Sequence, residues 1–160
     1  MAKGLFNIRV YGILINSEND VLVTDELIKG MQMTKFPGGG LEFGEGTVDC
    51  VKREFVEETK MNVEVISHFY TTDYFQPSAF HNDHQIISIY YLVKPVSVFA
   101  IQTKKNVFDF ERNQKQEQTF RWIALNKISE NDFTLPIDRI VGRMLQKKYK
   151  KELFSSDDIQ

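Results

Sequence analysis

Apolar positions gather along the chain in short runs divided by polar turns, and each run predicts an element. Phe6 to Ile15 is rich in β-branched and aromatic residues, interrupted only by Gly12, and reads as a strand. Asn16-Ser17-Glu18-Asn19-Asp20 has turn composition, and Val21 to Thr24 reads as a strand returning on the first as a hairpin. Asp25 to Gln32, which contains Gly30, predicts a loop or single turn, and Met33 to Phe36 a strand that leads into Pro37 and three glycines. From Thr47 to Thr59 the period becomes helical, with Val48, Val51 and Phe55 on one apolar stripe. Val63 to Phe75 and Gln85 to Val93 are two further β-rich runs, and Val96 to Thr103 predicts another strand. Lys104 to Gln118 reads as a long polar loop, and Thr119 to Ala124 as a last short strand. Behind Pro136, the residues Ile137, Ile140, Val141, Met144 and Leu145 fall at helical spacing and predict an amphipathic helix. The basic cluster Lys147 to Lys151 suits the C-terminal end of that helix, and the last residues read as a frayed tail.

Composition narrows the class of function. A chain of 160 residues is long enough for one domain with a real core. The formal net charge of −2 gives no electrostatic footprint for nucleic acid or an anionic membrane. No apolar run approaches the 18 or so residues of a membrane helix, and the N-terminal residues do not read as a signal peptide. Cys50 is the one cysteine, which excludes an intrachain disulfide and fits a reducing, cytoplasmic compartment. Its own expected role is that of a small packed residue. Thirteen Phe and six Tyr favour β structure and leave aromatic faces for stacking on a base.

The chemistry concentrates between Pro37 and Met61. Gly38, Gly39 and Gly40 let backbone come close to a ligand, with amides and carbonyls facing a phosphate or a metal. On the helix that follows, Glu54, Glu57 and Glu58 stand at i, i+3 and i+4, which puts three carboxylates on one face. Like charges so placed repel unless a positive partner sits between them. A cluster of hard oxygen donors suits Mg²⁺ or Mn²⁺, which also keep waters and substrate phosphates in their shell. The plain alternative is a solvent-exposed charged helix face.

The spacing decides between them. Gly39, then Glu45, then Arg53-Glu54-Phe55 and Glu57-Glu58 resembles the signature of the Nudix (MutT-like) hydrolase family, and a chance match is on the order of one in 10⁵. Phe55 and Met61 fill the hydrophobic positions; Lys60 stands where the family has a glycine that closes the helix in a left-handed conformation. The resemblance implies an α+β fold, an α/β/α sandwich with a mixed β-sheet, the box helix on one face and the C-terminal helix on the other. It implies a single domain over residues 1–153 with a flexible tail at 154–160. It implies Mg²⁺-dependent hydrolysis of a nucleotide-derived small molecule, a nucleoside diphosphate linked to another moiety, of ADP-ribose or nucleotide-sugar type. Glu54, Glu57 and Glu58 would hold the metal with the Gly38 carbonyl, Gly38 to Gly40 would meet substrate, and Arg53 would orient the glutamates. The family uses the residue matching Glu45 in or near the metal shell; its other reading is an acid that favours the positive end of the helix. The general base is Glu58 or a loop residue such as Glu117, with Glu111 the spare. Other readings keep the reaction on a nucleoside triphosphate or dinucleoside polyphosphate, or make the chain a non-catalytic nucleotide-binding module. The oligomeric state stays open, a homodimer included.

Elsewhere the signals are weaker. His81-Asn82-Asp83-His84 reads as a polar loop near the mouth of a site rather than as a metal site, and His68 as a structural residue. Pro77 lies sixteen residues past Met61, an offset that resembles a marker of ADP-ribose pyrophosphatases, although a turn proline before the next strand accounts for it equally.

Overall fold

The computed structural model describes residues 4–98, 100–110 and 117–157, the side chains of 153–157 excepted. Glu111 lies outside the described residues. Contacts divide the chain into two units, the described residues of Met1–Leu14 with Pro37–Ala100, and those of Ile15–Phe36 with Ile101–Gln160.

The first unit is built on a four-stranded mixed sheet in the order β4-β1-β6-β5. Strand β1 (Leu5–Leu14) pairs in parallel with β6 (His84–Pro95) and antiparallel with the glycine strand β4 (Gly38–Gly40). Strand β5 (Val63–Thr71) closes the edge on β6, with register irregularities at Val65/Ser67 and His68/Tyr70. Helix α1 (Thr47–Thr59) covers one face of this sheet. Its buried side is Cys50, Val51 and Phe55, whereas Val48, expected on that stripe, is exposed. Gly12 explains how the helix comes so close: a Cβ there would fall 2.4 Å from the Phe55 ring. The helix ends on Lys60 in the left-handed conformation, φ 61°, with its N–H bonded to the Val56 carbonyl.

The second unit is built on a three-stranded antiparallel sheet, β3-β2-β7. Strand β2 (Asp20–Ile28) runs through the segment expected to be a loop, and β3 (Met31–Lys35) returns on it with Ile28 opposite Met31. The intervening Lys29 and Gly30 both have positive φ, 50° and 80°, the geometry of a tight two-residue hairpin. The expected hairpin between β1 and β2 is therefore corrected. The two strands lie in different sheets, and only the single bridge Ile15↔Val21 forms across the turn between them.

Strand β2 carries a buried acidic pair at its centre. Asp25 is fully buried, and its carboxylate accepts from Arg121, from the Thr34 hydroxyl at 2.6 Å and from the Phe108 N–H at 3.2 Å. Glu26, also buried, meets Lys35 Nζ at 2.9 Å and Gln118 Nε2 at 3.0 Å. Buried charges survive only when paired in this way, and the charged partners, Lys35 and Arg121, come from β3 and β7. Strand β7 (Glu117–Ala124) starts two residues before the expected strand, so Glu117 is a strand residue opposite Leu27 rather than part of a loop. The described residues of 96–103 form no strand.

A 3₁₀ turn (Glu130–Asp132), capped by Ser129, packs against helix α2 (Pro136–Asp157). Ile137, Val141 and Leu145 of α2 are buried as the spacing predicts, and Phe133 stacks on Phe36 at 4.5 Å between centroids. The helix takes in residues 154–157; 158–160 lie outside the described residues. No helix among the described residues is long and apolar enough to cross a membrane.

The closing residue of α1 offers a direct check. Lys60→Gly relieves the left-handed strain, partly offset by greater freedom of the unfolded chain, and is expected to raise stability by roughly 0.5–1 kcal/mol. The readout is a higher urea midpoint at unchanged slope. An unchanged or lower midpoint would mean that the Lys60 Nζ bond to the Glu57 carbonyl, 3.3 Å, outweighs that strain.

Candidate active site

The register between β1 and β4 sets the ground plan of the site. Val10 lies opposite Gly39, Tyr11 opposite Gly38, and Arg9 opposite Gly40. Two of the glycines are required by contact. At Gly38, φ is 141° and a Cβ would meet the Val10 carbonyl oxygen at 2.2 Å. At Gly39 a Cβ would lie 2.4–2.6 Å from all three atoms of the Glu54 carboxylate. The space that glycine leaves is thus filled by the acid of the facing helix. Glu58 reaches the same strand, its Oε2 accepting from the Gly38 N–H at 3.2 Å.

Arg53 ties the surrounding groups together. Its Nε and Nη2 donate to the two oxygens of Glu45 at 3.0 and 2.7 Å, a bidentate pair. Nη2 also donates to the Gly40 carbonyl at 3.0 Å, and Nη1 to Glu54 Oε1 at 3.0 Å and Glu57 Oε2 at 3.3 Å. Glu45 in turn accepts from the Glu42 N–H at 2.9 Å, which fixes the loop before α1. The Arg53 hydrogen bonds, with that backbone bond behind them, push the Glu45 carboxyl down to about 2. Reciprocally, bonding to Glu45 and then Glu54 holds the guanidinium above its ordinary value. Cys50 Sγ lies 3.5 Å from the Gly40 carbonyl, and burial, then Glu45, pushes its thiol up to about 12. It is an inert packed residue, as its sequence context suggests.

The three expected metal ligands share one helix face, and two of them touch the glycine strand. Glu54 is largely covered, its side chain 13% exposed, while Glu57 stands open at 57%. Among the described residues no three acidic, His or Cys side chains close on a common point as a ready-made metal cage. The carboxylates are instead held by Arg53 and the Gly38 amide. As a donor set, however, they are hard anionic oxygens beside open backbone, the kind that suits a hard divalent cation.

A family model described as the NUDIX domain matches residues 5–143. The chain belongs to the NUDIX family. No curated protein sequence matches it. Among solved structures it is similar to a NUDIX hydrolase from Nitrosomonas europaea, at 17% identity over 91% of this chain and 89% of that one, with a TM-score of 0.64. It is similar to a MutT protein from Methanosarcina mazei, at 17% identity over 95% and 98%, TM-score 0.65. An ADP-ribose pyrophosphatase from Streptococcus suis matches at 14% identity over 83% and 81%, TM-score 0.54. At such identities the likeness is one of fold, and it agrees with the α+β class and mixed sheet expected from the sequence. As a NUDIX member with the box complete at its charged positions, the protein is a pyrophosphohydrolase.

Glu117 is in the second unit, at the start of β7. His68 is exposed on β5, bonded to Thr71 Oγ1 at 2.8 Å. His81 and His84 have ring centroids 4.8 Å apart, and Asp83 lies 3.7 Å from His84 Nε2. Arg9 also lies against the glycine strand, opposite Gly40. It donates from Nε to the Tyr11 hydroxyl at 2.6 Å, and Nη1 lies 4.0 Å from where a Gly40 Cβ would be. Only the β1–β4 register brings that cation to the glycine strand, so no local spacing signals it.

The Glu45–Arg53 pair predicts an acid dependence. Glu45 is held at about 2 against an ordinary 4.5, so its contribution to stability is complete above 4.5 and is lost as pH falls from there towards 2. Thermal midpoints of wild type and Glu45→Gln, followed from about pH 6 to about pH 2.5, should converge on acidification. A gap that stays constant across that range would refute the pairing.

Proposed function

We propose that the protein hydrolyses the pyrophosphate linkage of a nucleoside diphosphate joined to another moiety, with Mg²⁺ or Mn²⁺ as its cofactor. The observation that carries this reading is the alignment of Glu54 and Glu58 on the glycine strand with Glu57 beside them, all three spaced along one helix face. Those three acids and the Gly38 carbonyl would hold the cation. When bound, it would neutralise the diphosphate and lower the pKa of the attacking water.

The residues of the chain then have distinct tasks. Arg53 keeps Glu54 and Glu57 oriented through Nη1 and anchors the box loop through Glu45. Gly38 to Gly40 keep the strand free of side chains, so a phosphate can lie against backbone. Glu58 takes the proton as water oxygen bonds to phosphorus and the bridging P–O bond breaks; Glu117 is the other candidate for that base. A nucleoside monophosphate and a phosphorylated remainder leave. Positioning and charge supply most of the acceleration, since the protein forms no covalent bond to substrate. Support for a linked nucleoside diphosphate as substrate comes from the fold likeness to the Streptococcus suis protein described as an ADP-ribose pyrophosphatase.

With Mg²⁺ and a panel of ADP-ribose, nucleotide sugars, dinucleotides and triphosphates, release of nucleoside monophosphate from the linked diphosphates is expected. Chelation should abolish it and Mg²⁺ or Mn²⁺ restore it. Glu57→Gln should lower kcat by roughly 10²-fold or more, and of Glu58→Gln and Glu117→Gln, the variant that removes the base should lose roughly 10²–10⁴-fold. Tight nucleotide binding with no cleavage across the panel would favour a binding module instead. In a separate comparison, Gly39→Ala should fold normally, since a flexible carboxylate can swing aside, yet lose activity because Glu54 is displaced.

A further inference from the structure

Leu5, Phe6, Phe43 and Phe75, all of the first unit, stand open to solvent at one end of its sheet. Strands β1 and β6 begin there, beside a pocket of about 440 Å³ lined by Leu5, Phe6, Phe75, Pro77 and His84 among others. Pairing fixes its walls: Leu5 lies opposite His84, Phe6 opposite Gln85, and Pro77 bridges to Gln85. Phe6 is 68% exposed and Phe75 70%. The glycine strand leaves the sheet at the same end. It runs antiparallel to β1 with Gly40 opposite Arg9, and the Leu41 N–H bonds the Ile8 carbonyl. A little further on, Phe43 is fully exposed.

Scattered exposed apolar residues are ordinary; a group at one place marks a contact surface. At about 200 Å² for a whole Phe side chain, the three phenylalanines alone open roughly 500 Å². That matches the apolar share of a standard homodimer contact, about 65% of about 800 Å² per partner. The parts also match as a knob and a hole. Phe43 and Gly44 form a projecting tip: Gly44 has φ 96°, and a Cβ there would meet nothing within 4 Å. Among the described residues, no backbone N–H or C=O of this pair is hydrogen-bonded. On the pocket wall, His84 has its Nδ1 buried without a hydrogen-bond partner. The tip thus offers a ring to aromatic walls. It also offers both donors and acceptors to a nitrogen that lacks either, whichever tautomer the imidazole adopts.

We infer that this end of the sheet is the contact surface of a homodimer, in which Phe43 of each copy enters the Phe6–Phe75 pocket of the other. Phe43 does not fill the pocket of its own chain, since it is fully exposed. A second copy brings knob and hole together twice about one two-fold axis and leaves neither open. A one-way contact would instead leave a knob and a hole at its ends and grow into a chain. The tip lies between Glu42 and Glu45, both within ion-pair reach of Arg53. The contact therefore braces the loop that opens the box.

The inference does not depend on the reaction, and its test reads mass. Sedimentation equilibrium of the full chain from about 1 to about 100 µM is expected to show a dimer that grows no further. On dilution of the ¹⁵N-labelled wild type, the amides of residues 4–6, 41–45 and 75–85 should shift together. Phe43→Ser and Phe75→Ser change largely exposed residues and should keep the fold. Each should weaken dimerisation at least about a hundredfold. Mixed together, the two variants should form a heterodimer tighter than either homodimer, because one intact Phe43 then meets one intact pocket. If Phe43 and Phe75 served separate contacts, the mixture would fall between its parents, and that result would overturn the inference. So would a wild-type monomer at the top concentration, a mass that keeps rising with concentration, or a dimer that neither substitution weakens. A monomer whose residues 75–85 shift on addition of AMP would give the pocket to a nucleotide and overturn it equally.

Discussion

One guanidinium sits among the carboxylates of the box, and most of the local architecture follows from what its five donors can reach. Arg53 is bound to both oxygens of Glu45, to the Gly40 carbonyl, and to Glu54 and Glu57. These groups belong to the loop before α1, to β4 and to α1 itself. A lysine at this place could supply the charge but not the planar fork, and would leave part of the set unbonded. Because Glu45 takes the bidentate share, Glu54 and Glu57 are each held by a single nitrogen, oriented but not used up.

The glycine strand answers that arrangement with absent side chains. Gly39 makes room for the Glu54 carboxylate, Gly38 passes close to Val10 and Tyr11, and Gly12 admits the Phe55 ring of the same helix. All three act by allowing close approach, and only Gly38 among them also needs a backbone conformation that other residues avoid. The helix is thereby pressed onto the sheet on its apolar side and onto β4 on its acidic side. A shared rigid setting of this kind is what precise placement of charged groups requires.

The second unit uses buried charge differently. Asp25 and Glu26 are sealed into β2 and paired with Arg121 and Lys35 across the neighbouring strands. Asp25 also receives the N–H of Phe108, a residue with φ of 55°, and so pins the segment that follows Lys104. These pairs serve pairing register and loop anchorage, whereas the acids of α1 line the candidate site. Equal residue types, one buried and cross-linked, the other half-open along a helix, carry different roles.

Much of the candidate site could be read from spacing alone. Glu54, Glu57 and Glu58 are neighbours because a helix repeats every 3.6 residues, and Arg53 and Glu45 stand at offsets that a loop and helix of that length bring together. The α1 bounds, the start of α2 at Pro136 and the packed character of Cys50 were likewise local matters. Pairing was not. Asp25 to Ile28, expected within a loop, extend as strand because their acids are neutralised by residues close to one hundred positions away, Arg121 and Gln118, and by Lys35 on the next strand. The separation of β1 from β2 into different sheets, the approach of Arg9 to Gly40 and the meeting of Phe6 with Phe75 and His84 all depend on strand register. Register is a long-range choice, settled by which faces are buried and which hydrogen bonds are completed, and a linear string of residues records neither.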